Sequence, residues 1–435
     1  MEGQGRNLAP LRSLILDLPP SCIEFCPGHP NYFVVGTYNL QKEDGKGAEV
    51  ADADADGEGQ QAKKATQTRN GSLVLFRLTG AADINHVQTV LYPSAILDLH
   101  FHPSREGHTV LSVVSSTGTL SFFRLRTSEE SPASLEEIST HRPLGDDEGI
   151  LFLSCSWHPY IPELLAITTS NHQVHILRVD DSWNVRTTRA EPVITHSLEA
   201  WTVAFSSLIP RRPNLDPNVS LERNSQLFTL FSGGDDSKLF VAKCLYHPIR
   251  IDSEADSIES PFSAISLRGH EAGVTAILPL NLQIVLLGSV VVTGSYDDHI
   301  RVYTINDQKS GLPPQNPKLI AERNLEGGVW RLKLIKLEKT TEMVPRTDQT
   351  EGTTRELRRW KALILASCMH AGSRVVEITG DAVTETCQIN VLGRFEEHKS
   401  MNYGSDFQPG SESEGRSLRC ISTSFYDRLL CLWEY

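Results

Sequence analysis

Residues 293–303, TGSYDDHIRVY, run through the end of one strand, a tight acidic turn at Tyr296-Asp297-Asp298 and a second strand from His299. Upstream stands Gly269-His270, and the gap from His270 to Asp297 suits one blade of a β-propeller, a ring of four-stranded sheets around a central channel. The spacing predicts a relay in which His270 between blades, the turn residue Asp297, the strand residue Ser295 and the aromatic Tyr303 bond to one another. A satisfied polar network of this kind fixes one geometry.

Working outward, a second mark recurs where an aromatic stands two residues before proline: Phe25-Cys26-Pro27, Phe101-His102-Pro103, Trp157-His158-Pro159 and Phe407-Gln408-Pro409. The aromatic would close the gap between blades, and proline, with no amide hydrogen to give a ladder, would end the strand. Three more inner strands fall between these anchors, AWTVAF at 200–205, GVTAIL at 273–278 and GVWRLKL at 328–334. The fold class expected is therefore all-β, a seven-bladed WD-repeat β-propeller. The chain ends on the third strand of its last blade, so Leu11–Leu18 is expected to fill the open edge and close the ring.

Seven blades need roughly 300 residues at about 40 to 45 each, so the 435 residues are read as one propeller, 1–435, with insertions near 40–70, 208–225, 247–261 and 337–361. The first carries an ADADAD tract, and its acids against the lone Lys46 in 43–58 read as disordered. A net charge of -13 disfavours free nucleic acid as a partner. The run from Thr275 to Gly294 is broken by Pro279, Asn281 and Gln283 and divides into two strands, not a membrane span. Eight cysteines occur without a C-x-x-C pair, and MEGQGRNLAPLR holds no apolar signal region. Reduced thiols, a cytoplasmic location and a monomer are expected, with no cofactor and no metal.

Propeller topology gathers the turns between second and third strands on the face where the loops enter each first strand. That face receives Asp235, Asp236, Asp297, Asp298, His299, His370, Tyr426 and Asp427. Counting four residues back from the end of each inner strand gives the position opening on the channel mouth: Trp201, Trp330 and Tyr403 in blades four, six and seven, against Ser21, Leu97, Leu153 and Thr275 elsewhere. Three aromatics on one side of the ring can embrace a cation, at roughly 0.5 to 2 kcal/mol per contact, or can pack between blades, and both readings stand. In blade seven His398 takes the relay place with Asp427 and Trp433, although Phe425 stands where the relay serine is expected. His100 and His102 share a strand face, yet two imidazoles without a third ligand are weak grounds for a metal. His299 and His370 have no part in the repeat. No G-x-S-x-G elbow, H-E-x-x-H or Gly-rich phosphate loop is present, so the residues by themselves favour a binding scaffold, with ester cleavage by activated water as the simplest chemistry.

Taken together, SGGDD (232–236), TGSYDDHIRVY (293–303), GGVWRLK (327–333), CMH (368–370) and TSFYDRLLCLW (423–433) resemble the WD-repeat diphthine methyl ester hydrolases of diphthamide biosynthesis. The likeness runs from about residue 196 to the end. It implies an enzyme that removes the methyl ester from a modified histidine of translation elongation factor 2, its protein partner, ahead of amidation. The substrate would carry a trimethylammonium group beside the ester. Trp201, Trp330 and Tyr403 would then hold the cation and Asp235, Asp236 and Asp298 would attract it. His370 or His299 would serve as base, and Tyr426 would stabilise the oxyanion. A non-catalytic WD-repeat adaptor is the competing class, and a methyltransferase comes third, for want of a G-x-G loop opening onto a helix.

Overall fold

The computed structural model describes residues 5–41, 68–80, 82–104, 108–128, 130–209, 224–248, 256–284, 288–305, 317–345, 354–382, 386–413 and 417–435. These form seven sheets that, apart from two amino-terminal strands, are antiparallel and follow one another in chain order. Their inner strands are Pro20–Phe25, Ile96–Phe101, Phe152–Trp157, Ala200–Phe205, Val274–Ile284, Arg331–Pro345 and Gly404–Phe407. Each inner strand packs on the next and the seventh packs on the first, so the ring is closed. Phe25, Phe101, Trp157 and Phe407 all end their strands, where the aromatic-x-proline pattern puts them.

The core is not one mass but seven, because each sheet is covered on both faces by its neighbours. One apolar cluster fills each junction between blades, from Cys22, Val34 and Leu111 between blades one and two to Ile421, Leu430 and Phe33 between seven and one. The cysteines are free thiols, and all but Cys387 are buried.

Closure comes from the amino-terminal segment. Pro10–Ile15 pairs antiparallel with Leu429–Glu434 as the outer strand of blade seven, as expected from the open edge. Just before it, Arg6–Leu8 adds a parallel strand to the outer strand of blade six, Thr386–Phe395, which the sequence did not suggest. One short stretch of chain therefore ties two blades.

The stretch 337–361 is corrected by the structure. It is not a loop insertion in its described part, because the inner strand of blade six runs on through a bulge after Leu334 to Pro345 and pairs with Thr354–Ser367. Alternating charged and apolar side chains such as Lys336, Leu337 and Glu338 suit a two-sided hairpin as well as they suit a loop. Most of the acidic insertion, residues 42–67, and of the Pro-rich one, 210–223, lies outside the described residues, as does 249–255. The ends of the first are tied by pairing of Asn39–Gln41 with Thr68–Asn70, and Ile258–Glu259 is a short strand of blade four.

Candidate functional site

In blades one to five the inner strand opens with a register shift that leaves one residue unpaired: Ser21, Leu97, Leu153, Trp201 and Thr275. These are the positions obtained by counting back from the strand ends. A bulge of this kind re-aims a side chain. Where it is a hydroxyl it stitches blades together, Ser21 Oγ donating to the Ile96 carbonyl and Thr275 Oγ1 to that of Val329, each at 2.6 Å. Where it is aromatic it is free to meet other rings.

Those rings form a belt. Trp201 lies edge-on to Trp330 at 5.6 Å between centroids, and Trp330 lies 4.9 Å from Tyr403. The three aromatics singled out in the sequence thus assemble, with Tyr296 of the blade-five turn added, 6.5 Å from Trp201 and 5.7 Å from Trp330. Beyond Tyr403 the belt continues through Phe425, which meets Tyr403 at 5.6 Å, Tyr426 at 5.1 Å and Tyr38 at 6.0 Å. Tyr426 is 72% exposed at this far end. Tyr296 and Phe425 went unpredicted because they sit in turns, outside the strand count. The shared signal is an aromatic ahead of each turn aspartate, in Ser-Tyr-Asp-Asp and Phe-Tyr-Asp.

The acidic residues separate. Asp235 is at the belt, its Oδ1 accepting the Trp201 indole N–H at 3.2 Å. Asp236 is turned away from it into a third relay, bonded to His196 Nδ1 at 3.0 Å, while His196 Nε2 meets Ser232 Oγ at 2.9 Å. Asp236 is therefore structural rather than a surface charge for a substrate. The Pro-rich insertion between His196 and Asp236 stretches the spacing that marks the other relays and hid this one. Asp298 holds a positive φ of 65° and its carbonyl accepts the Leu325 N–H.

The relays themselves differ from expectation in their hydroxyls. His270 Nε2 bonds Thr293 Oγ1 at 2.9 Å, not Ser295, whose hydroxyl donates to the Ala272 carbonyl. Asp297 is drawn instead to the Arg301 guanidinium at 2.8 Å and accepts the Glu271 N–H. The Tyr303 hydroxyl has no partner among the described residues. In blade seven the relay serine is Ser422, not the position of Phe425: it lies 2.7 Å from His398 Nε2 and accepts the Trp433 indole N–H at 3.0 Å. Asp427 accepts the Lys399 N–H and the Ser424 hydroxyl. Burial pushes the imidazoles of His270 and His398 down to about 4, so both are neutral.

His299 bonds the Asp297 carbonyl through Nδ1 at 2.6 Å. His370 is exposed at the turn before Ser373–Asp381 and makes no hydrogen bond, ion pair or ring contact among the described residues.

Below the belt the channel holds a cavity of about 320 Å³ into which Tyr403 also faces, crossed by a network of six ionisable groups. Arg331 reaches across from blade six to Asp98 of blade two at 2.8 Å, and Lys333 reaches Asp406 at 3.1 Å and Glu24 at 3.5 Å. His100 stands between Glu24 at 2.9 Å and Asp98 at 3.4 Å. Burial would lower this imidazole, but Asp98 and Glu24 outweigh it and push it up to about 10. His100 is thus a cation of the network, whereas His102 lies past the strand end and bonds the Pro162 carbonyl. Chain order holds no sign of this crossing, since its members come from four blades.

No protein-family model matches the chain. Over almost its whole length it is similar to diphthine methyltransferase of Schizosaccharomyces pombe, at 26% identity over 424 residues, 96% of this chain and 95% of that one. The protein of that name in Saccharomyces cerevisiae is 24% identical, covering 97% of both chains. The Homo sapiens protein is 25% identical over 91% of this chain and 74% of its own length. Among solved structures the chain is similar to Sqt1 from Chaetomium thermophilum, with a TM-score of 0.51 at 12% identity over 95% of this chain and 82% of that one. It is also similar to Sqt1 bound to the N-terminus of the ribosomal protein L10, with a TM-score of 0.50 at 11% identity over 98% and 100%. At such identities this likeness speaks for the propeller fold alone.

Proposed function

We propose that this chain acts in diphthamide biosynthesis as a carboxylic ester hydrolase, removing the methyl ester from diphthine methyl ester on the modified histidine of translation elongation factor 2. Similarity along nearly the full length to proteins named diphthine methyltransferase supports the pathway and the methylated diphthine as the molecule handled. One observation carries the choice of site: Trp201, Tyr296, Trp330 and Tyr403, from four consecutive blades, join ring to ring beside the Asp235 carboxylate. A trimethylammonium group cannot donate a hydrogen bond or lose its charge, so aromatic faces and a nearby carboxylate are the groups that recognise it. The ester, a few bonds away, would then lie at the same rim, beside Asp235. The reaction would take place in the cytoplasm, where the elongation factor works.

Methyl transfer to diphthine is the second reading, favoured by the name its relatives carry. Purified protein incubated with methyl-esterified elongation factor 2 separates the two. Hydrolysis releases one methanol per ester, and Trp330→Ala raises the Michaelis constant roughly 2- to 30-fold, the equivalent of one cation–aromatic contact. Stable binding without methanol would instead mark an adaptor, and methyl gain by unesterified diphthine a transferase.

A further inference from the structure

The Tyr296 ring sits in a slot made by two glycines. A β-carbon on Gly273 would come within 3.0 Å of its Cδ2 edge, and one on Gly328 within 3.5 Å of its Cδ1 edge and 2.6 Å of Met369 Sδ. The same point above Gly273 lies 2.8 Å from Asp235 Oδ1, so the slot brings the carboxylate and the phenol ring together. Asp235 Oδ1 is engaged by the Trp201 indole, and its second oxygen has no partner among the described residues. The hydroxyls of Tyr296 and Tyr403 likewise make no hydrogen bond among the described residues. A carboxylate oxygen and two phenol hydroxyls thus stand without hydrogen-bond partners on side chains that meet Trp201 and Trp330, which packing alone would not call for.

We propose that Asp235 is the general base of the ester hydrolysis and that Tyr296, with Tyr403, donates hydrogen bonds to the ester carbonyl oxygen. The assignment rests on the hydrolase reading above. With the trimethylammonium against Trp201 and Trp330, the Asp235 carboxylate takes a proton from water while the water oxygen bonds to the acyl carbon. The carbonyl pair moves onto oxygen, where the two hydroxyls meet it. The tetrahedral centre collapses, the C–OCH3 bond breaks, and the departing methoxide takes the proton back from Asp235. Methanol and the carboxylic acid result, the acid giving its proton to solvent. Burial pushes the Tyr403 phenol up to about 12, and burial with the charges of Tyr403 and Asp235 pushes Tyr296 up as well. Both therefore remain protonated donors at neutral pH.

Methanol release is measured for the wild type, Asp235→Asn, Tyr296→Phe, Tyr403→Phe and His370→Ala, with binding of tetramethylammonium read from tryptophan fluorescence. Asparagine still accepts the Trp201 N–H, so the cage keeps its shape. Asp235→Asn is expected to lower kcat roughly 100-fold, and each Phe variant roughly 10- to 100-fold, with tetramethylammonium affinity of the Phe variants within about twofold of wild type. The wild-type rate stays level from pH 5 to 8, where an imidazole base would lose rate below about 6.5. Variants with wild-type kcat, or turnover lost only in His370→Ala, would overturn this assignment and leave the hydrolase reading standing. No methanol from the wild-type protein would overturn both.

Discussion

Trp433 and Tyr303 hold the same place in blades seven and five, and the difference between them decides whether a relay closes. The indole N–H reaches Ser422, whereas the phenol hydroxyl projects beyond its ring and finds no partner. With Arg301 beside it, Asp297 satisfies itself on a cation instead. Spacing located His270, Asp297 and Tyr303, but which atoms meet depends on side-chain length, which spacing does not encode. Asp98 shows the larger gap in the sequence reading. Buried to 1% exposure, it accepts from Ser154 and the Cys155 N–H and pairs with Arg331 and His100. Removing it leaves the Arg331 guanidinium without a carboxylate and His100 with Glu24 alone, so Asp98→Ala is expected to cost about 3 to 5 kcal/mol in urea unfolding. A loss under about 1 kcal/mol would mean that water already screens the network.

At the scale of the element, the inner strand is where the sequence was most informative. Its bulge near the start is local and recurs in blades one to five, so the count transfers from blade to blade; in blades six and seven it reaches Trp330 and Tyr403, which stand just ahead of their strands with no bulge at that position. Turns have no such repeat, and Tyr296 and Phe425 were missed for that reason; the hairpin of blade six was missed because charged alternation resembles a loop. The relay histidines give the blades a common pH response. His270 and His398 are held near 4, so between about 6.5 and 4 the unfolded chain takes up protons that the folded chain refuses, and stability falls as pH drops through that window. His100 has the opposite sign. Raised to about 10, it contributes fully below about 6.5 and its contribution is lost as pH rises toward 10. The urea midpoint should therefore peak near pH 6.5 and be lower at pH 4.5 and pH 9, with His100→Gln flattening the alkaline side. A midpoint that holds from pH 6.5 to 4.5 would contradict the neutral, buried state of the relays.

For the whole molecule, closure and function depend on each other. The belt draws its rings from blades four to seven and one, and the channel ion pairs join blades six and seven to one and two, so neither exists unless the ring is shut. The amino-terminal segment, paired with the last strand and with blade six, is what shuts it. A chain beginning at Pro20 is expected to melt at lower temperature and less cooperatively, and to lose tetramethylammonium binding; an unchanged melt would show that the remaining blades close by themselves. This closure was legible from an unfilled sheet edge, whereas the crossing of the channel was not, because distances across a ring leave no trace in chain order. The central claim is that water attacks the acyl carbon of an ester whose cationic neighbour is held by the belt. Turnover of methyl-esterified elongation factor 2 in 18O-labelled water tests it most directly. The account predicts one labelled oxygen in the diphthine carboxylate and none in the methanol. Label in the methanol, or an ester left intact, would contradict it.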